Sequence, residues 1–215
     1  MLANVRSMSL HGLDGYLIQV QVDVSAGLPA WEIVGLADTA IKESKERVRT
    51  AIKNSGLDFP SRRIVVNLAP ADIRKEGSFL DLPIAIGVLI ATENISSINL
   101  ESTVLIGELS LDGKVNGING VLPMCIEAIK MGIKRIILPE KNAKEAAIIN
   151  NIQIIPVKSL EETVAYLSGN LKIEPIKIDA ISMLKQSSEH DIDFSEVKGQ
   201  ENVKRALEVA AARRT

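Results

Sequence analysis

Residues 17–24 read Leu-Ile-Gln-Val-Gln-Val-Asp-Val, so Ile18, Val20, Val22 and Val24 alternate with Gln19, Gln21 and Asp23. Side chains on a strand point to opposite faces in turn, and this period of two predicts a strand with one buried face. The constraint is strong because such a strand is not stable alone. It needs sheet partners and an apolar layer over one face. Partners lie close by. Residues 9–13 form a preceding strand across the turn His11-Gly12-Leu13-Asp14-Gly15, and residues 31–36 return as a third after Gly27-Leu28-Pro29. Three strands therefore come before any helix.

Asp38-Thr39 then caps a helix whose apolar stripe is Ile41, Val48, Ala51 and Ile52, stopped by Gly56. Residues 62–68, with Ile64, Val65 and Val66 contiguous, predict a short buried strand. Asp81 is expected to cap a second, very apolar helix over 82–92, with Pro83 in its first turn. From Thr103 the pattern is a strand (104–109), the hairpin turn Asp112-Gly113 and a return over 115–118. Helix 121–131, strand 136–138, helix 140–150, strand 152–157 and helix 160–167 follow. Strands alternating with helices imply an α/β sheet with helices packed on it, and the opening run of strands makes it mixed.

Residues 170–193 change character, with Pro175 and the run Lys185-Gln186-Ser187-Ser188-Glu189-His190-Asp191, and read as a linker. A last helix, 202–212, carries Val203, Ala206, Leu207 and Ala210 on one face with nothing of its own to pack on. The expected organisation is a first domain over 1–169, a linker over 170–193, and the opening of a second domain over 194–215.

Composition removes several function classes. One Trp, two Tyr and three Phe leave an aliphatic core and argue against broad base-stacking platforms. One cysteine excludes a disulfide framework, and the distant His11 and His190 have no ligand cluster, so no metal site is expected. Cys125, among apolar neighbours, reads as buried and structural. No signal peptide or membrane span is visible, which points to the cytoplasm and away from membranes. The stretch Gly107 to Val115 has five residues between its glycines where a P-loop has four, and Val115 stands where a hydroxyl should bind magnesium.

Charge is unevenly placed. The chain carries 25 Lys and Arg against 27 Asp and Glu, a net −2. Between 42 and 75, nine cations face four carboxylates, giving +5 there and −7 elsewhere. Lys45, Arg47, Arg49, Arg62, Arg63, Arg74 and Lys75 are thus candidate contacts for a polyanion. The same residues also read as a solvated helix face with pairs such as Glu43–Arg47. Lys75 near Ser78 raises a Ser–Lys hydrolase, although Ser78 and Asp81 also read as helix caps.

Several blocks together resemble one family. They are Asp23 to Pro29, Ile33 to Ala40, Lys42 to Arg49, Val66 to Asp72, Lys75-Glu76-Gly77 with Phe79, Asp81, Leu82, Pro83, Ile84 and Ala85, and Gly107 to Gly113. These resemble the N-terminal domain of the YifB/ComM family of magnesium-chelatase-related AAA+ ATPases. The resemblance runs over nearly the whole chain, and Phe194 to Ala212 resembles the lead-in of the family's ATPase module. It implies an α/β (α+β) fold with a mixed sheet, a two-layer sandwich like the Lon proteolytic domain and domain 2 of a ribosomal small-subunit protein.

The resemblance also sets expectations for the chemistry. Aligned with Lon, the nucleophile position falls on Phe79 and the base position on Leu122, so a non-catalytic Lon-like domain is implied. Val197, Gly199 and Gln200 match an incomplete nucleotide edge. ATP and magnesium are expected only in an ATPase module of which this chain carries the opening, and no cofactor is expected in this chain. The implied whole protein is a homo-hexameric ATPase acting on DNA in recombination or natural transformation, with branch migration. A magnesium-chelatase subunit and a Lon-type serine peptidase are the alternatives.

Overall fold

The computed structural model describes residues 1–12, 14–95, 100–177 and 196–212. The chain divides into two units, Met1–Ile178 and Asp179–Thr215. In the first, the alternating segment is the middle of β2 (Asp14–Ser25), hairpinned to β1 (Leu2–His11) in antiparallel register with Val5 opposite Val20. The apolar set Ile18, Val20, Val22 and Val24 is buried as its period requires. Then come β3 (Ala30–Val34), α1 (Thr39–Asn54), β4 (Arg63–Ala69) and α2 (Asp81–Ala91). Strand β5 (Thr103–Leu105) and the small hairpin β6 (Glu108–Leu109) and β7 (Val115–Asn116) lead to α3 (Val121–Lys130). The remainder is β8 (Arg135–Pro139), α4 (Glu140–Ala146), β9 (Gln153–Val157) and α5 (Leu160–Leu167).

Seven strands form one mixed sheet in the order β3-β4-β2-β1-β5-β8-β9. Strand β2 pairs antiparallel with β1 on one side and β4 on the other, while β3 pairs in parallel with β4, β5 with β1 and β8, and β9 with β8. Two apolar clusters lie on opposite faces. On one, α1, α2 and α5 pack on Val20, Val22, Leu105, Ile137 and Ile155. On the other, α3 and α4 cover Met8, Val104, Ile136 and Ile154. The two-layer sandwich describes the β3-β4 side, and α3 and α4 add a third layer over β2, β1, β8 and β9. Strand β4 shows the difference: Ile64, Val66 and Leu68 are buried while Val65 is half-buried, so it is one-faced where its apolar run reads as two-faced.

Other readings shift for local reasons. The expected strand 104–109 is split, because Gly107 turns the chain past the start of α2. Its N–H donates to the Phe79 carbonyl and its own carbonyl accepts from Leu82 N. A Cβ there would lie 2.7 Å from Val115 Cγ1. Helix α4 ends at Ala146 rather than 150. The chain also stays with the sheet beyond 169: Ile176 bridges Ile154, and Ile173 packs on the first cluster. Residues 178–193 of the expected linker lie outside the described residues. In the second unit α6 (Glu201–Ala212) forms, with Val203 and Leu207 exposed.

Helix α2 rides on β1 and β2 and is buried along its whole length. Contact this close depends on Gly87, where a Cβ would sit 2.6 Å from Val22 Cγ2. Gly87→Ala gains up to about 1 kcal/mol of helix propensity but must displace a buried strand side chain, at about 1–3 kcal/mol. Denaturant titration is expected to show net destabilisation; a more stable variant would mean that the α2–sheet contact is loose.

Candidate functional site

The seven candidate cations part company in the structure. Arg47 turns inward. Its Nε and Nη2 donate to Asp81 Oδ2 and Oδ1 at 2.7 and 3.0 Å, and Nη2 also donates to the Ala40 carbonyl at 2.8 Å. Lys75 is completely buried, with Nζ donating to the Pro70 carbonyl. Burial holds its ammonium below the usual lysine range, against a smaller opposing pull from Asp72. Arg63 pairs with Glu32 at 3.1 Å, and Arg74 with Glu76 at 3.2 Å beside the β1–β2 hairpin. Lys75 is therefore corrected from a surface contact to an interior residue, and Arg47 is half-buried with its guanidinium committed to Asp81. A charge withdrawn from water is stable only with a partner; the start of α2 supplies one to Arg47 through Asp81, and the loop after β4 supplies one to Lys75 through the Pro70 carbonyl.

Lys45, Arg49 and Arg62 remain, and the fold brings them together with Lys53. They line one cavity of about 180 Å³ between α1 and the segment 57–62, closed by Pro29, Trp31, Phe59 and Pro60. None of the four makes an ion pair among the described residues; the pairs of the interval are Glu43–Arg47, Arg47–Asp81, Arg63–Glu32 and Arg74–Glu76. Trp31 and Phe59 stack with ring centroids 6.1 Å apart and planes 22° apart. Trp31 Nε1 is buried without a hydrogen-bond acceptor. The shortage of rings in the composition argues against a stacking surface, yet two of the six aromatic residues meet among these cations. Sequence reasoning missed Trp31 and Phe59 because they lie 28 positions apart on elements that only the sheet brings together.

The Lon-like loop is built differently. Asp38 caps α1 through Oδ1, accepting from Ile41 N at 2.8 Å, and its Oδ2 accepts from Gly77 N at 3.0 Å. Phe79 packs on the first apolar cluster, while Leu122 at the start of α3 donates its N–H to Glu145 at 3.3 Å. Ser78 Oγ donates to Glu108, not to a lysine. Asp81 is not the expected cap: α2 begins after Leu80 with no side-chain cap, and the Asp81 carboxylate faces Arg47 and the N–H of Leu109. In the second unit, Val197, Gly199 and Gln200 are exposed, and the Gln200 carbonyl accepts from Val203 N and Lys204 N, opening α6. Burial pushes the Cys125 thiol up to about 12, assisted by Glu145, so it is inert. No group of three or more His, Cys, Asp or Glu among the described residues could hold a metal.

The Asp81 carboxyl is 1% exposed, and burial pushes it up to about 6 although Arg47 pulls the other way. A raised carboxylate pKa means the folded chain holds this proton more tightly than the unfolded one. The group's contribution to stability is thus present below about pH 4 and lost as pH rises through about 6. Removing Arg47 strands the charge. Arg47→Ala is expected to cost about 3–5 kcal/mol near neutral pH. The loss should shrink as pH falls toward about 6, because without Arg47 the Asp81 carboxyl is pushed up further and takes up its proton first. Denaturant melts at pH 5 and pH 8 check this, and an equal loss at both would show that Asp81 does not carry the effect.

The family model described as subunit ChlI of Mg-chelatase matches residues 20–142, more than half of the chain. The uncharacterized protein YifB of Escherichia coli is 41% identical over 98% of this chain and 41% of its own length. Competence protein ComM of Haemophilus influenzae is 36% identical over 98% of this chain and 42% of its own length. The Lon protease of Rhizobium meliloti is 27% identical over 78% of this chain but 22% of its own length. The chain spans about two-fifths of the length of the YifB and ComM relatives. On the match over residues 20–142, the chain belongs to the family of the Mg-chelatase subunit ChlI, with YifB and ComM proteins among its relatives.

Proposed function

We propose that this chain is the non-catalytic, Lon-like N-terminal domain of a ComM-type, Mg-chelatase-related AAA+ ATPase that processes DNA. In this reading ATP and magnesium belong to the part of the relatives that the chain does not span. The whole protein works as a homo-hexamer in the cytoplasm, in recombination or natural transformation, and this domain helps hold DNA. The observation that carries the reading is the sorting of the cations. Lys45, Arg49, Lys53 and Arg62, which make no ion pair among the described residues, gather round one cavity, while Arg47, Arg63, Arg74 and Lys75 are engaged elsewhere and the exposed Lys42 stands apart from both groups. Unpaired cations on one face are what phosphate contact needs, because each neutralised phosphate releases a counterion.

In the full-length protein, replacing Lys45, Arg49, Lys53 and Arg62 by Ala is expected to weaken DNA binding. It should also flatten the slope of log affinity against log salt by up to about 3–4 units. Arg63→Ala and Arg74→Ala should leave the slope alone. An unchanged slope in the fourfold variant would return these residues to a plain solvated face.

The Lon relative favours a peptidase as the second reading. With Phe79 at the nucleophile position and Leu122 at the base position, neither attack nor proton transfer has a group to perform it. The protein is expected to leave casein intact, and cleavage abolished by Ser78→Ala would reverse that assignment. A chelatase role would need porphyrin handling, and neighbouring pigment-synthesis genes would favour it over neighbouring competence genes.

A further inference from the structure

We propose that the cavity between α1 and the segment 57–62 is a single-strand site, where Trp31 stacks an unpaired nucleobase and Lys45, Arg49 and Lys53 take successive phosphates. This rests on the DNA reading above and specifies the strand state that the site accepts.

The helix supplies the first argument. Positions 45, 49 and 53 lie one turn apart on α1, a rise of about 6 Å per step at 1.5 Å per residue. That step is close to the separation of neighbouring phosphates along an extended strand. Like charges at this spacing destabilise a helix. None of the three is relieved by an acidic partner among the described residues, although Glu46 lies on the same helix and Asp58 precedes Phe59. Arg62 faces the ladder across the cavity from the opposite wall.

The rings supply the second. A duplex hides the faces of its bases and offers phosphates on a convex surface, so an aromatic pair at the back of a basic cavity gains nothing from it. An unpaired base offers both faces, and stacking on an aromatic side chain is worth about 1–3 kcal/mol per base whatever its identity. Trp31 is half-buried, stacks on Phe59 and lines the cavity together with Pro29 and Pro60. At about 180 Å³ the space suits one base or one phosphate group, not a duplex ridge. Trp31 also sits on β3, which among the described residues is an edge strand with a strand partner on one side only.

Trp31 is the single tryptophan of the chain, so its emission reports on this cavity alone. The 215-residue chain is titrated with an oligothymidine, with a matched duplex, with an abasic strand of equal length and with inorganic polyphosphate. The oligothymidine is expected to quench Trp31 fluorescence saturably and to bind more tightly than the abasic strand. Polyphosphate and duplex should leave the emission unchanged. Trp31→Ala should lose about tenfold in single-strand affinity while the salt slope stays the same. Trp31→Phe, which keeps the cavity filled, should retain most of the affinity. Duplex binding with no loss in Trp31→Ala for either form overturns the stacking inference and leaves the DNA reading standing. No binding to any strand, with the fourfold cation variant also silent in the full-length protein, overturns both. Equal quenching by polyphosphate overturns the inference in favour of a simple anion site.

Discussion

A carboxylate shut away from water persists only when a cation carries its charge, and Arg47 does this for Asp81. The guanidinium reaches across from α1 with two hydrogen bonds and joins it to α2, which rides on β1 and β2. Leu109 N adds a third bond, which fixes the β6–β7 hairpin to the start of α2. The pair also sets the rotation of α1. On a helix of 3.6 residues per turn, residues two apart lie about 200° apart, so Arg47 and Lys45 flank the buried stripe of Ile41, Ser44, Val48, Ala51 and Ile52 from opposite edges. With Arg47 bound to α2, Lys45, Arg49 and Lys53 fall toward β3 and the segment 57–62. The basic cavity is thus a consequence of an interior ion pair on the other side of the same helix.

A second joint holds the loop that resembles the Lon nucleophile loop. Asp38 bonds both to its own helix and to Gly77 N, and Asp38 N and Lys75 N exchange backbone bonds with Lys75 and Leu36. Lys75 is sealed beneath, and Phe79 is turned onto the apolar cluster. Polar groups that could serve chemistry in this loop are instead absorbed in holding α1, α2 and the hairpin together. The surface that remains available lies on the far side of α1, among cations with no such duty.

Much of the fold is legible in the residues. Alternation marks β2, Asp38 marks the start of α1, and helix 160–167 begins where Ser159 caps it through Glu162 N. The misses have physical causes. Ile64-Val65-Val66 reads as buried on both faces, but whether a third layer covers a strand depends on where α3 and α4 land. Asp81 before an apolar run reads as a cap, because the cation that claims it is 34 positions away. The basic interval is visible, yet linear charge counting treats Arg47 and Arg49 alike. Their separation into interior and surface follows from helix phase and from a partner that is not local.

The sequence by itself determined which segments are strands and helices, which faces are apolar, and that +5 of charge gathers between 42 and 75. Those properties are local, since periodicity, caps and charge are carried by neighbouring residues. Only the tertiary structure decided which cations are neutralised and which stay free, and that Trp31 meets Phe59 beside Lys45, Arg49, Lys53 and Arg62. Those facts depend on contacts between residues far apart in the chain, which come into being when the sheet order and the rotation of α1 are set.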